Sequence, residues 1–130
     1  MAITYRRDGA VIWVDAAQLG VFQSELTSNV YDLIRMIMGD YGDRIIILAQ
    51  SNTPIRTGAL FAGYIAVVGV DDEGNAVLDV NNDVFYFQFI EYGTRYIYPR
   101  QMLEEAVDKL EPAMMEEVAL AVEAGQEEYV

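Results

Sequence analysis

The sequence predicts an α+β chain: a long N-terminal helix and a C-terminal helix, with a small antiparallel β-sheet between them in sequence. Three observations predict it. Apolar residues recur at steps of three and four from Leu19 through Phe22, Leu26, Val30, Leu33, Ile37, Tyr41 and Ile45 to Leu48, which is one stripe of a long helix. Residues 60–92 are rich in β-branched and aromatic side chains punctuated by turn residues. From Gln101 the helical period returns in Leu103, Ala106, Val107, Leu110, Met114, Val118 and Ala121.

Residues 1–14 read as a β-hairpin, Ile3–Arg7 and Ala10–Val14 about an Asp8-Gly9 turn, or else as an extended arm leading into one strand. The long helix is assigned to residues 15–52. Asp15 and Gln18 have capping-box spacing, and Asn52-Thr53-Pro54 ends the helix because proline disfavours helix in the residue before it. At ~1.5 Å per residue such a helix spans on the order of 50 Å, with Gly39 and Gly42 as expected bends or breaks.

The antiparallel sheet is assigned to residues 60–92. A strand to Val70, a turn at Asp71–Asn75, a strand Ala76–Val80 and a turn at Asn81-Asn82-Asp83 lead to Val84–Ile90, which is a strand or a strand ending in a helical turn. The C-terminal helix is assigned to 100–124. Within it Pro112 either kinks the helix or, with Glu111, starts a second one.

A length of 130 residues fits one domain with one core, and no linker or repeat suggests a second. No apolar run reaches the ~18 residues of a membrane span. Asp8 and Gly9 stand where a signal peptide would place its apolar stretch, so a cytosolic product without a cleaved leader is expected. The chain has no cysteine, so disulfides and thiolate metal sites are excluded. It has no histidine either, which removes the commonest general base and metal ligand and makes an enzyme a poor expectation. The formal net charge of −13 repels nucleic-acid backbones, though a negative wall would let a polyanion slide by without sticking.

Candidate chemistry is sparse. Asp71, Asp72, Glu73, Asn75 and Asp79 offer oxygen ligands but lack the spacing of a calcium loop, and read as a solvated turn. Ser24, Ser28 and Ser51 have no nucleophile context, and the glycines have no phosphate-cradling spacing. The aromatic run Phe85–Tyr92 lacks the basic interleaving of a base-stacking platform, and reads as sheet core with one face at a subunit contact. Arg56, Arg95 and Arg100 stand out in so acidic a chain. Guanidinium forks pair bidentately with carboxylates, so these three either pin sheet to helices or meet a neighbouring subunit.

Three segments carry a resemblance: Pro54-x-x-Thr57-Gly58-x-Leu60, then Tyr86-x-x-Phe89-Ile90-Glu91-Tyr92-Gly93-Thr94-Arg95, then Pro99-Arg100-x-Met102-Leu103. In order and spacing, over about residues 15 to 122, the chain resembles the phage tail-completion family, the head-tail joining neck proteins of siphophages and prophages. It departs at Phe87, where the family has a small residue, and at Gln101 and Met102, which replace proline and phenylalanine.

The resemblance implies two helices packed on the sheet, no catalysis, no cofactor and no metal. It implies a virion protein of the neck, assembled in the host cytoplasm as a homo-oligomeric, six-fold ring. Its partners would be the connector or adaptor proteins and the tail terminator or tail tube protein. DNA would pass through without specific binding, and no membrane is involved. Gly58 and Gly93 would allow tight turns, Thr57 and Thr94 would bond local backbone, Glu91 would pair with Arg95 or Arg56, and Met102 and Leu103 would anchor the last helix. A tail terminator, or a prophage-encoded binding module absent from the virion, are the alternatives.

Overall fold

Strands β1 (Ala2–Arg6) and β2 (Gly9–Val14) form an antiparallel hairpin. The computed structural model describes residues 2–14, 28–54, 58–71 and 75–127. The hairpin turn lies one residue earlier than its Asp-Gly signal suggests: Arg6 pairs with Gly9, leaving Arg7-Asp8 as the turn. Gly9 serves a different need. A Cβ there would stand 2.0 Å from the Val80 carbonyl oxygen and 2.6 Å from the Asn81 Cα. Only glycine lets β2 approach its other neighbour this closely.

That neighbour is β4 (Ala76–Asn82), which also pairs with β3 (Tyr64–Val70). The result is one four-stranded antiparallel sheet in the order β1-β2-β4-β3. The N-terminal hairpin and the middle block therefore share a sheet, although residues 15–63 separate them. Asn81 and Asn82, expected in a turn, are the last residues of β4.

The helices are α1 (Ser28–Ser51), the single turn α2 (Ala59–Ala62), α3 (Phe87–Tyr92) and α4 (Met102–Glu127). The capping pair Asp15 and Gln18, and the stripe residues Leu19, Phe22 and Leu26, fall outside the described residues. α1 runs without interruption through Gly39 and Gly42, so neither glycine breaks it. Instead a Cβ on Gly42 would come within 3.0 Å of Leu78 Cδ1 and 3.1 Å of Ala66 Cβ: the glycine lets the helix settle onto β3 and β4. After Ser51 the chain turns as expected. The hydroxyl of Thr53 donates to the Ala49 carbonyl at 2.7 Å, and Pro54 follows.

Helices α1 and α4 pack on each other and on one face of the sheet. Alternation along β2 and β4 sends Ala10, Ile12, Val14, Ala76, Leu78 and Val80 inward, all buried. Each fully buried residue of the size of Ile12 or Leu78 contributes roughly 1.5–3 kcal/mol. α1 supplies Val30, Ile34, Met38, Tyr41, Ile45 and Ala49. This stripe is rotated from the expected one, since Leu33 is exposed while Ile34 and Met38 are buried. The α4 stripe agrees with expectation, with Leu103, Ala106, Val107, Met114, Val118 and Ala121 buried and Leu110 packed against the core.

Pro112 lies inside α4 and starts no second helix. It and Asp108, four residues back, are both exposed, where solvent can reach the carbonyl left without its donor. The opposite face of the sheet carries the Arg6–Asp79 ion pair at 2.8 Å, which reaches across β2 past Gly9.

Candidate assembly surface

The chain leaves β4 through Asn82, which is 1% exposed. Its side-chain Nδ2 donates to the Leu60 carbonyl at 2.8 Å, and its side-chain Oδ1 accepts from the Val84 amide at 3.0 Å. This Asx turn ends the strand and starts helical winding, with Phe87 N–H donating to Val84 C=O and Phe89 N–H to Tyr86 C=O. The segment expected as a strand, or as a strand ending in a helical turn, is helical from Phe87 to Tyr92, as α3. Phe87 and Glu91, four residues apart, point inward, and Phe85, Phe89 and Tyr92 point outward. Phe87, the departure from the family pattern, sets its ring edge-on to Tyr64 at a centroid distance of 5.9 Å.

Glu91 is 1% exposed and is the hub of the turn into α4. One carboxylate oxygen accepts from the Leu103 amide and the other from the Glu104 amide, both at 2.9 Å. The first N–H groups of any helix lack intrahelical partners and carry the positive end of its dipole. Glu91 supplies the missing acceptors from 12 and 13 residues away. Burial pushes its carboxyl above the ordinary glutamate range, and the Leu103 and Glu104 amides pull the other way. The expected pairing with Arg95 does not form, and Arg56, the alternative partner, lies outside the described residues.

Loop 93–101 springs from this hub. Gly93 has φ 79°, and a Cβ there would lie 2.7 Å from the Ile97 carbonyl oxygen and 2.8 Å from the Pro99 nitrogen, so no other residue fits. Thr94 and Ile97 exchange backbone hydrogen bonds, and the Thr94 hydroxyl accepts from the Tyr96 and Ile97 amides at 3.1 Å. Arg100 N–H donates to Ile90 C=O and Gln101 N–H to Glu91 C=O, closing the loop at its base. Gln101 adopts φ 49°, a value closed to the proline that the resemblance places there.

Met102 and Leu103, at the start of α4, are 0% and 1% exposed. The Tyr64 hydroxyl lies 3.0 Å from the Thr53 hydroxyl and donates to the Met102 sulfur at 3.8 Å. The segment after α1 thus meets the start of α4 through one strand residue. Burial pushes the Tyr64 phenol up to about 12. Gly58 has φ 81° with open space around its Cβ position, so backbone conformation alone calls for glycine. Arg56 and Thr57 fall outside the described residues. The Tyr92 hydroxyl donates to the Arg6 carbonyl at 2.7 Å, tying α3 to the hairpin. Burial, with the charges of Glu91, Glu104 and Asp8, pushes that phenol up to about 12.

What the loop presents outward was missed in the sequence. Tyr96 and Tyr98 are 87% and 93% exposed, beside a half-exposed Ile97. Phe85 on the adjoining turn is 81% exposed. Arg95, Pro99 and Arg100 are exposed, and neither arginine joins an ion pair among the described residues, so they do not pin sheet to helices. The Arg95 guanidinium sits over the Tyr96 ring at 5.8 Å. The available signal was an aromatic-aliphatic-aromatic triplet between two arginines, with no acidic residue from Tyr92 to Leu103.

Between the hairpin turn and α3 lies an open cleft of about 530 Å³ lined by Arg6, Arg7, Asp8, Asp83, Phe85 and Gln88. Of the acidic residues between and on β3 and β4, Asp71 Oδ1 accepts from the Asn75 amide at 2.8 Å and Asp79 is held by Arg6, while Asp72 and Glu73 fall outside the described residues. No cluster able to hold a metal ion occurs among the described residues, and no helix among them is long and apolar enough to cross a membrane.

A family model described as "Bacteriophage HK97-gp10, putative tail-component" matches residues 22–93. No curated protein and no solved structure matches the chain. The matched stretch takes in α1, the sheet's two central-block strands and α3, and ends at Gly93, where the exposed loop begins. It covers more than half of the 130 residues, and the chain belongs to the HK97-gp10-like family of bacteriophage tail components.

Proposed function

We propose that this tail component acts at the neck, joining head to tail as a ring through which DNA passes. The observation that carries the reading is the braced loop 94–100, which holds in solvent two tyrosines and two arginines that join no ion pair among the described residues, on a chain from a tail-component family. Tyrosine and arginine are the residues most enriched at the energetic centres of protein interfaces. Bracing by Gly93, Thr94 and the Glu91 hub lowers the ordering cost of docking.

In this reading the chain is structural rather than catalytic and takes no cofactor or metal. Its partners are further copies of itself, probed below, the connector or adaptor on the head side, and the terminator or tube on the tail side. Six copies at −13 each carry −78. Acidic faces lining the lumen would repel the passing genome instead of binding it.

Negative-stain microscopy of a lysate from the parent phage with this gene disrupted tests the role. Filled heads beside separate tails of normal length are expected. Tails of abnormal length would assign the chain as tail terminator, and intact infectious particles would remove it from the joining step altogether.

A further inference from the structure

The loop's arginines join no ion pair among the described residues, which leaves both guanidinium forks open to a carboxylate. Arg95 and Arg100 precede α4, and no acidic residue lies between Tyr92 and Leu103. Without those two charges the rest of the chain carries −15, from −13 less +2. The acidic faces of that remainder differ. On α1, Asp32 is paired with Arg35 at 2.7 Å and Asp40 with Arg44 at 2.8 Å. On α4, Lys109 is the only cation, and Glu116 and Glu123 join no ion pair among the described residues.

Glu116, Leu120 and Glu123 stand at i, i+4 and i+7, which makes one ridge of the helix. All three are exposed, and Leu120 is 58% so, a large apolar side chain between two carboxylates. The ridge begins 14 residues into α4, about 21 Å along the axis from the loop's end. Loop and ridge are therefore complementary in charge and in apolar content, yet too far apart to meet within one molecule.

We propose that loop 94–100 of one copy docks on the Glu116–Leu120–Glu123 ridge of a second copy, head to tail. Arg95 and Arg100 meet the two glutamates, while Tyr96 and Tyr98 cover Leu120. Because the two surfaces differ, the contact is heterologous and propagates into a ring or a filament instead of closing a two-fold dimer. This rests on the ring reading above and names the surfaces that build the ring.

The test uses the full-length protein by sedimentation velocity and negative-stain imaging. The loop variant is R95E/R100E and the ridge variant is E116K/E123K. All four side chains are exposed, so both variants should keep the wild-type circular dichroism spectrum and melting temperature. Each alone should self-associate at least about 30-fold more weakly than wild type. Mixed one to one they should associate again, because the acidic loop of one faces the basic ridge of the other and the native pair supplies the remaining contact.

Undiminished assembly of the loop variant, or a mixture that stays monomeric, would overturn the proposed contact while wild-type rings still stood. A wild-type chain that remains monomeric at every concentration and shows no rings would overturn the self-assembly reading and the contact together.

Discussion

Replacing Glu91 with glutamine tests whether the motif's acid is a helix cap instead of an ion-pair partner. Wild-type Glu91 gives one oxygen to each of two amides at the start of α4. E91Q keeps one acceptor and turns an NH₂ group, a donor, against the other amide. A lost hydrogen bond to a charged acceptor costs about 1.5–3 kcal/mol, and the orphaned buried donor and lost dipole interaction bring the total to ~2–4 kcal/mol. For 130 residues the unfolding entropy is on the order of 0.27 kcal/mol per kelvin, so the melting temperature should fall by roughly 7–15 °C. Thermal melts followed by far-UV circular dichroism read this directly.

The pH dependence supplies a second readout. Burial raises the folded-state pKa of Glu91, so the folded protein holds this proton more tightly than the unfolded chain. The stability linked to it is fully present below the unfolded glutamate pKa and is lost as the pH rises through the folded one. E91Q cannot titrate, so the pH dependence that Glu91 gives the wild-type stability should be absent from E91Q. A melting temperature within about 2 °C of wild type, with no pH-dependent gap, would refute the capping role.

Four further outcomes are expected. Gly93→Ala puts a Cβ 2.7 Å from the Ile97 carbonyl oxygen at a positive φ, and should destabilise by at least about 1–3 kcal/mol in urea unfolding. Gly9→Ala should cost at least as much, because the clash is with β4 backbone, and hydrogen exchange should show faster exchange along β2 and β4. Tyr96→Ala with Tyr98→Ala should leave stability within about 0.5 kcal/mol yet abolish joining activity in a complementation assay. Arg95→Glu should likewise block joining of heads to tails with an unchanged melting temperature, since its guanidinium has no ion-pair partner among the described residues.

The two long helices differed in how plainly the sequence spoke. On α4, Met102-Leu103, Ala106-Val107 and Leu110 are set apart by charged residues, which narrows the stripe's register over the first half of the helix. On α1, the runs Leu33-Ile34, Met36-Ile37-Met38 and Ile45-Ile46-Ile47-Leu48 fit several neighbouring stripes. What decides the register is Gly42, which seats the helix on Leu78 and Ala66; it was read as a breaker when it marked the buried face. Gly9 misled in the same way, since a turn and a close strand approach both call for glycine.

The candidate site was legible in part. Gly58 and Gly93 at positive φ, the Thr94 hydroxyl on local backbone, and the buried Met102 and Leu103 are features whose special backbone geometry or dense apolar character leaves local signals. The Glu91 partnership was hidden. Side-chain identity suggests arginine for a glutamate, whereas unsatisfied helix amides, present in any sequence, were the stronger demand. The exposure of Tyr96 and Tyr98 depends on the loop's closure at Ile90 and Glu91, a contact that spacing does not encode.

Cryo-electron microscopy of the parent virion at side-chain resolution tests the neck assignment most directly. The expected result is a ring of this chain at the head–tail junction, with Tyr96 and Tyr98 buried against a neighbouring protein and an acidic lumen. Density for the chain elsewhere in the particle, or a neck ring whose 94–100 loops stand free in solvent around a basic lumen, would contradict it.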